Sequence, residues 1–188
     1  MSSPDFPRFA RLLMVLALAG LTAGCFQPLY GDRASVGAGG AAPGVLDKMR
    51  AVDVMPVVAS QAGRLPRVGG EVRNELIYQL TGGGAGNTTA YTLKISVTST
   101  NLQVISDVNT ARADVQNYGI DAYYSLTEVG TGKQVVSGST FSRVSYDIPG
   151  QQQRFAGNRG LRDAENRAAK VIAENIRNRL ASYFAAGT

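Results

Sequence analysis

One apolar stripe near the C-terminus constrains the fold more than any other feature. Leu161, Ala164, Ala168, Ile172, Ile176, Leu180 and Tyr183 recur at three- and four-residue spacing, which puts them along one side of a helix. Arg162, Glu165, Asn166, Arg177 and Asn178 take the other side. A long helix that is apolar along a single line needs an apolar surface to lie on, and the upstream sequence supplies a sheet.

Between residues 91 and 99, Tyr91, Leu93, Ile95 and Val97 alternate with Thr92, Lys94, Ser96 and Thr98, the pattern of a half-buried strand. Leu102 and Val104 fall on the opposite parity, so a bulge is expected near Thr100. A polar turn over residues 106–112 leads to a third strand, residues 113–128, where Tyr118, Ile120, Ala122, Tyr124 and Leu126 recur at period two. Gly130-Thr131-Gly132-Lys133 closes a tight hairpin. The fourth strand, residues 134–146, is rich in serine and threonine. Further upstream, MRAVDVMPVV from Met49 reads as a first strand ending near Pro56. Val72, Leu76, Ile77 and Leu80 predict an amphipathic helix over 71–80, stopped by Gly82 to Gly84. The order β-α-β-β-β-α predicts an α+β two-layer sandwich, a four-stranded, mostly antiparallel sheet with two helices on one face. Long strands with one polar face can lie against a partner as well as against water.

The N-terminus follows different rules. Arg8 and Arg11 precede an uncharged run, Leu12 to Leu21, and the small residues Thr22, Ala23 and Gly24 lead into Cys25, the only cysteine. A charged start, a short apolar core and small residues before a cut form a secretory signal. As a helix, residues 12–24 would reach roughly 20 Å, too short for a hydrocarbon core of about 30 Å. Small residues abutting Cys25 also resemble the lipobox of bacterial lipoproteins, with Thr22 where an aliphatic residue is preferred. That resemblance implies cleavage before Cys25 and a covalent lipid on its sulfur, a membrane anchor and the one non-protein group expected. Phe26, rather than an aspartate, follows the cysteine, and by resemblance to enterobacterial sorting rules this implies the periplasmic side of the outer membrane. Residues 1–24 are thus expected to be a lipoprotein signal peptide. Residues 25–46 would be a lipidated N-terminus with a flexible Gly/Ala-rich tether, and residues 47–188 a single α+β domain.

Composition removes several functions. With no histidine and one cysteine, Ser-His-Asp and Cys-His catalysis and the usual zinc sites are out of reach. The carboxylates are scattered singly, apart from Asp163 and Glu165, which read as a solvated face near a helix start. No catalytic residue, no metal site and no enzyme are therefore expected. The net charge of +5 is modest, and no basic run with interleaved aromatics suggests nucleic acid.

Cys25-Phe26-Gln27-Pro28-Leu29-Tyr30-Gly31, Val72-Arg73-Asn74-Glu75-Leu76, Thr131-Gly132-Lys133 and the terminal pattern from Ala164-Glu165 to Tyr183 occur in an order that resembles the LPS-assembly lipoprotein family LptE, in its alphaproteobacterial branch. Phe26 replaces the glycine that the family places after the cysteine. The resemblance implies a non-enzymatic plug and assembly partner of the LPS translocon barrel LptD, assisting lipopolysaccharide insertion into the outer membrane. Lipopolysaccharide carries phosphates and carboxylates that call for exposed cations. The candidates are Arg112 before the third strand and Arg143 within the fourth, taken as a pair, with Lys133 in the hairpin turn as a third. Arg162 and Arg177 are assigned to the solvated helix face. The alternative is an outer-membrane accessory lipoprotein of a phospholipid or ABC-type transport system, or a peptidoglycan synthase activator; these would share the signal, tether and domain.

Overall fold

A computed structural model describes residues 44–59, 63–107, 112–147 and 154–186. The signal segment, Cys25 and the tether up to residue 43 lie outside the described residues, as do residues 108–111 of the expected polar turn. The elements are α1 (Val45–Arg50), β1 (Val52–Val54), β2 (Val58–Ala59), α2 (Leu65–Thr81), β3 (Tyr91–Asp107), β4 (Arg112–Glu128), β5 (Gln134–Asp147) and α3 (Arg154–Ala186). The sheet runs β1-β3-β4-β5, with β2 also pairing to β3. β1 and β2 lie parallel to β3, while β3, β4 and β5 form an antiparallel meander. This is the expected α+β sandwich.

The inner face of the sheet follows from period two. Leu93, Ile95 and Val97 on β3 and Ile120, Ala122 and Leu126 on β4 are buried, and Ile95 sits opposite Tyr124. Val72, Leu76 and Leu80 of α2 and Ile172, Ile176 and Leu180 of α3 complete the same core. Near the C-terminal end of α3, the rings of Tyr91 and Phe184 approach to 5.1 Å between centroids.

Four local expectations need correcting. The first strand is split in two and preceded by a helical turn, and Met49 belongs to that turn, where its side chain fills the core. Pro56 has no N–H for the ladder and separates β1 from β2. The register irregularity lies between Gln103 and Ser106, whereas Thr100 pairs with Gly119 in unbroken register. Leu102 therefore stays on the outer face, 60% exposed. Helix α2 begins at Leu65 rather than 71. Pro66 is tolerated in a first turn, and at Gly69 a β-carbon would stand 3.3 Å from Val57 Cγ1, so the glycine lets helix and strand close up. The expected stop does hold: Gly82 adopts φ +68° and donates its N–H to Tyr78 O at 2.8 Å. Finally, α3 starts at Arg154, ahead of its apolar stripe.

Candidate functional site

Two regions of the described residues offer polar groups that the core does not absorb. The first is the sheet face opposite the helices. Ser96, Thr98 and Thr100 from β3 neighbour Asp121, Tyr123 and Ser125 from β4, and Ser137, Ser139, Phe141 and Arg143 from β5 continue the surface. It stands open: Tyr123 is 59% and Phe141 66% exposed. Arg143 is held flat against it. Its Nη2 donates to both carboxylate oxygens of Asp121 at 2.8 and 3.0 Å, and its Nη1 donates to the carbonyls of Ile120 and Ser142 at 3.1 Å. The guanidinium also lies 5.5 Å from the Phe141 ring centroid. Gly119 makes room for this, because a β-carbon there would come within 2.8 Å of Arg143 Cδ.

The three expected cations are spread along the sheet. Arg143 pairs with Gly119, and Arg112 begins β4 seven residues earlier, roughly 23 Å away at about 3.3 Å per residue. The side chain of Arg112 lies outside the described residues. Lys133 is exposed beyond the opposite end of β4, in the hairpin turn where Gly132 takes φ +67°. Among the described residues no cluster of His, Cys, Asp or Glu could hold a metal ion, and no helix is long and apolar enough to cross a membrane.

The second region is internal, and here the sequence reading of Glu165 has to be corrected. Expected on a solvated helix face, Glu165 is only 1% exposed. One carboxylate oxygen, Oε2, accepts a hydrogen bond from Arg67 Nη2 in the first turns of α2, while Oε1 has no partner. Arg67 Nη1 also donates to Asn166 Oδ1 at 3.2 Å. A cavity of about 480 Å³ opens beside the carboxylate, between Ser99 and Asn101 of β3, Tyr118 of β4, Arg64 at the head of α2, and Leu161. Burial, and then the negative charge of Glu165, raise the Tyr118 hydroxyl above its usual pKa. The signal for Glu165 was present in the spacing. Counting one heptad back from Ile172 lands on it, inside the stripe rather than across from it. Asp163, by contrast, is exposed and pairs with Arg167 one turn on.

The family model described as lipopolysaccharide-assembly, LptE, matches residues 49–180. The chain belongs to the LptE family. That match takes in all five strands, α2 and most of α3, so the sandwich itself is the family's domain. No curated protein matches the chain. Among solved structures, a Caulobacter crescentus protein described as a lipoprotein is similar at 23% identity, with a TM-score of 0.59, over 77% of this chain and 97% of that one. Rare lipoprotein B from Shewanella oneidensis aligns at 13% identity and TM-score 0.47, over 69% and 95%. A minor lipoprotein from Acinetobacter baumannii aligns at 10% and 0.49, over 69% and 90%. The Caulobacter likeness establishes that the fold of this LptE-family domain is shared.

Proposed function

We propose that this LptE-family chain is an outer-membrane lipoprotein that plugs an LptD-like β-barrel, supports its assembly and assists lipopolysaccharide insertion, without catalysis of its own. The family match over residues 49–180 carries the reading. The open serine- and threonine-rich sheet face supports it, since a barrel lumen is polar and wet and hydroxyl-bearing side chains exchange water for protein partners at little cost. In this reading Cys25 carries the lipid, more than one acyl chain makes the attachment stable, and the glycine-rich tether lets the lipid reach the bilayer from inside the barrel.

For contact with lipopolysaccharide, Arg112, Arg143 and Lys133 serve as separate points of a long surface. Arg143 would have to exchange Asp121 for a phosphate, whereas Lys133 is exposed in its turn. Affinity purification from detergent-solubilised outer membrane should bring down an LptD-like barrel. Recovery of a peptidoglycan synthase or a phospholipid-transport component in its place would overturn the reading. The anchor has its own check: Cys25→Ala should lose incorporation of labelled palmitate, and label retained by the variant would refute lipidation at this residue.

A further inference from the structure

The two edges of the sheet are unlike. At one, β1 and β2 are three and two residues long and are separated by Pro56, devices that keep an edge from pairing with another chain. At the other, β5 runs for 14 residues, with β4 on one side and, among the described residues, no strand on the other. It contains no proline and no lysine, and its register with β4 is unbroken from Asp147 to Val136. Arg143 lies on the sheet face with Asp121 and so does not guard the edge. Side chains reach two of the strand's carbonyls, Ser142 O from Arg143 at 3.1 Å and Ser145 O from Arg167 at 3.4 Å. An edge this long presents a row of backbone donors and acceptors, which an added strand fits.

We propose that β5 pairs antiparallel with β5 of a second copy of this chain, about a two-fold axis at Thr140. The sequence of the edge selects both partner and register. Residues directly opposite across an antiparallel pair lie on the same face. In β5, Val136, Ser142 and Tyr146 face the core, while Ser137, Ser139 and Phe141 face out. The axis must therefore pass through a residue and not between two. With the axis at Thr140, Lys133, just before the strand, falls opposite Asp147 at both ends of the ladder. Both side chains are exposed, and neither has an ion-pair partner among the described residues. Val136 then meets Val144 on the inner side, and Ser137 meets Arg143 on the outer. Moving the axis by one residue sets Asp147 against Val135 or Thr131 instead, and the charges no longer meet. The helix layer agrees with this register. Asn175 Nδ2 donates to Thr140 Oγ1 at 2.9 Å, which puts that point of α3 at the axis. Val171, one turn earlier and 39% exposed, is then covered by α3 of the second copy. Such a contact is closed by its own symmetry, so it yields a dimer and not a fibre. It uses a strand edge and no barrel, and it stands or falls apart from the proposed plug role.

The test uses the full chain in detergent with Cys25→Ala, which leaves no native thiol, and reads the register by cross-linking. Opposed residues of an antiparallel pair stand about 4.5–5.5 Å apart between α-carbons, within reach of a disulfide. Thr140→Cys should therefore give a covalent dimer on mild oxidation. Phe141→Cys, more exposed but off the axis, would stand diagonally from its copy at roughly 7–8 Å and should give little. Lys133→Asp should weaken association roughly tenfold, because symmetry turns two ion pairs into two like-charge contacts. Adding Asp147→Lys to it should restore the dimer. These charge variants are compared with the natural chain by sedimentation equilibrium under reducing conditions, so the test holds even if Thr140→Cys does not fold. Three results would overturn the proposal: a natural chain that stays monomeric at every concentration, which leaves the edge to a different strand; cross-linking of Phe141→Cys equal to that of Thr140→Cys; or a charge-swapped double variant that associates no better than Lys133→Asp alone.

Discussion

On β4, Ile120 and Ala122 are fully buried beneath the helices, whereas Asp121 between them and Tyr123 beyond stand on the open side. Adjacent residues of one strand thus serve two unlike surfaces. The inner face is largely apolar and covered by α2 and α3, and among the described residues Glu165 is its one buried charge. The outer face carries serine, threonine, two exposed aromatic rings and an arginine already tied to an aspartate. The contrast teaches that the pleat separates the residues that hold the sandwich together from those it leaves open: one parity is core and the other faces outward.

The sharpest way to break that division is to put a charge on the sealed side. Ile176→Asp should cost roughly 4 kcal/mol or more, because an unpaired carboxylate would replace a fully buried methyl-rich side chain. Urea unfolding with an unshifted midpoint would show that the helix face is not core.

Next in size is the charge that the sealed side already contains. Glu165→Ala strands Arg67, but that guanidinium is 34% exposed and can turn to water, so the expected loss is about 2 kcal/mol rather than the 3–5 of a fully buried pair. Adding Arg67→Met should restore part of it. A double variant as unstable as the sum of both singles would mean that the pair is not coupled.

A smaller effect follows from Tyr118, buried beside the same carboxylate. Burial foremost, with Glu165 second, raises its pKa above the usual range of a tyrosine hydroxyl, so the folded state holds that proton more tightly than the unfolded one. The stabilisation is fully present below about pH 10 and is lost as pH climbs through the raised folded value. Melting curves taken across that alkaline range should fall more steeply for the natural chain than for Tyr118→Phe; parallel curves would remove the effect.

The open side should respond least in stability and most in association. Phe141→Ser with Tyr123→Ser should change the unfolding free energy by no more than about 0.5 kcal/mol while reducing co-purification of the proposed barrel partner. A large drop in melting temperature would show that the two faces are not separate after all.

The sequence disclosed the sealed face far better than the open one. Leu93, Ile95, Ile120 and Leu126 were legible because period two is a direct image of the pleat, and Ile172, Ile176 and Leu180 because the helical period is equally direct. The start of α2 was hidden by Pro66, Gly69 and Gly70, which look like breakers; a first turn accepts proline, and Gly69 is there so that the helix can approach Val57. Met49 lay in an apolar run too short for periodicity to separate strand from helical turn. Glu165 was misplaced because a charge in the middle of a stripe looks like a polar face until its partner on α2 and the neighbouring cavity are seen. Arg143 could be assigned to the outer face from its strand, but its tie to Asp121 depends on a cross-strand register that no local pattern encodes.

The parallel pairing of β1 and β2 with β3 also fixes an order in time. A chain emerging N-terminus first presents Val52 and Val54 before Tyr91 to Val97 exist to pair with them, and the helix covering β4 and β5 comes last of all. The meander from β3 to β5 can zip locally, but the leading strands must wait for contacts distant in sequence, the slow kind to form. Until then their apolar side chains stay in water, so the interval between release of the N-terminus and arrival of α3 is when this polypeptide is most exposed to misassociation.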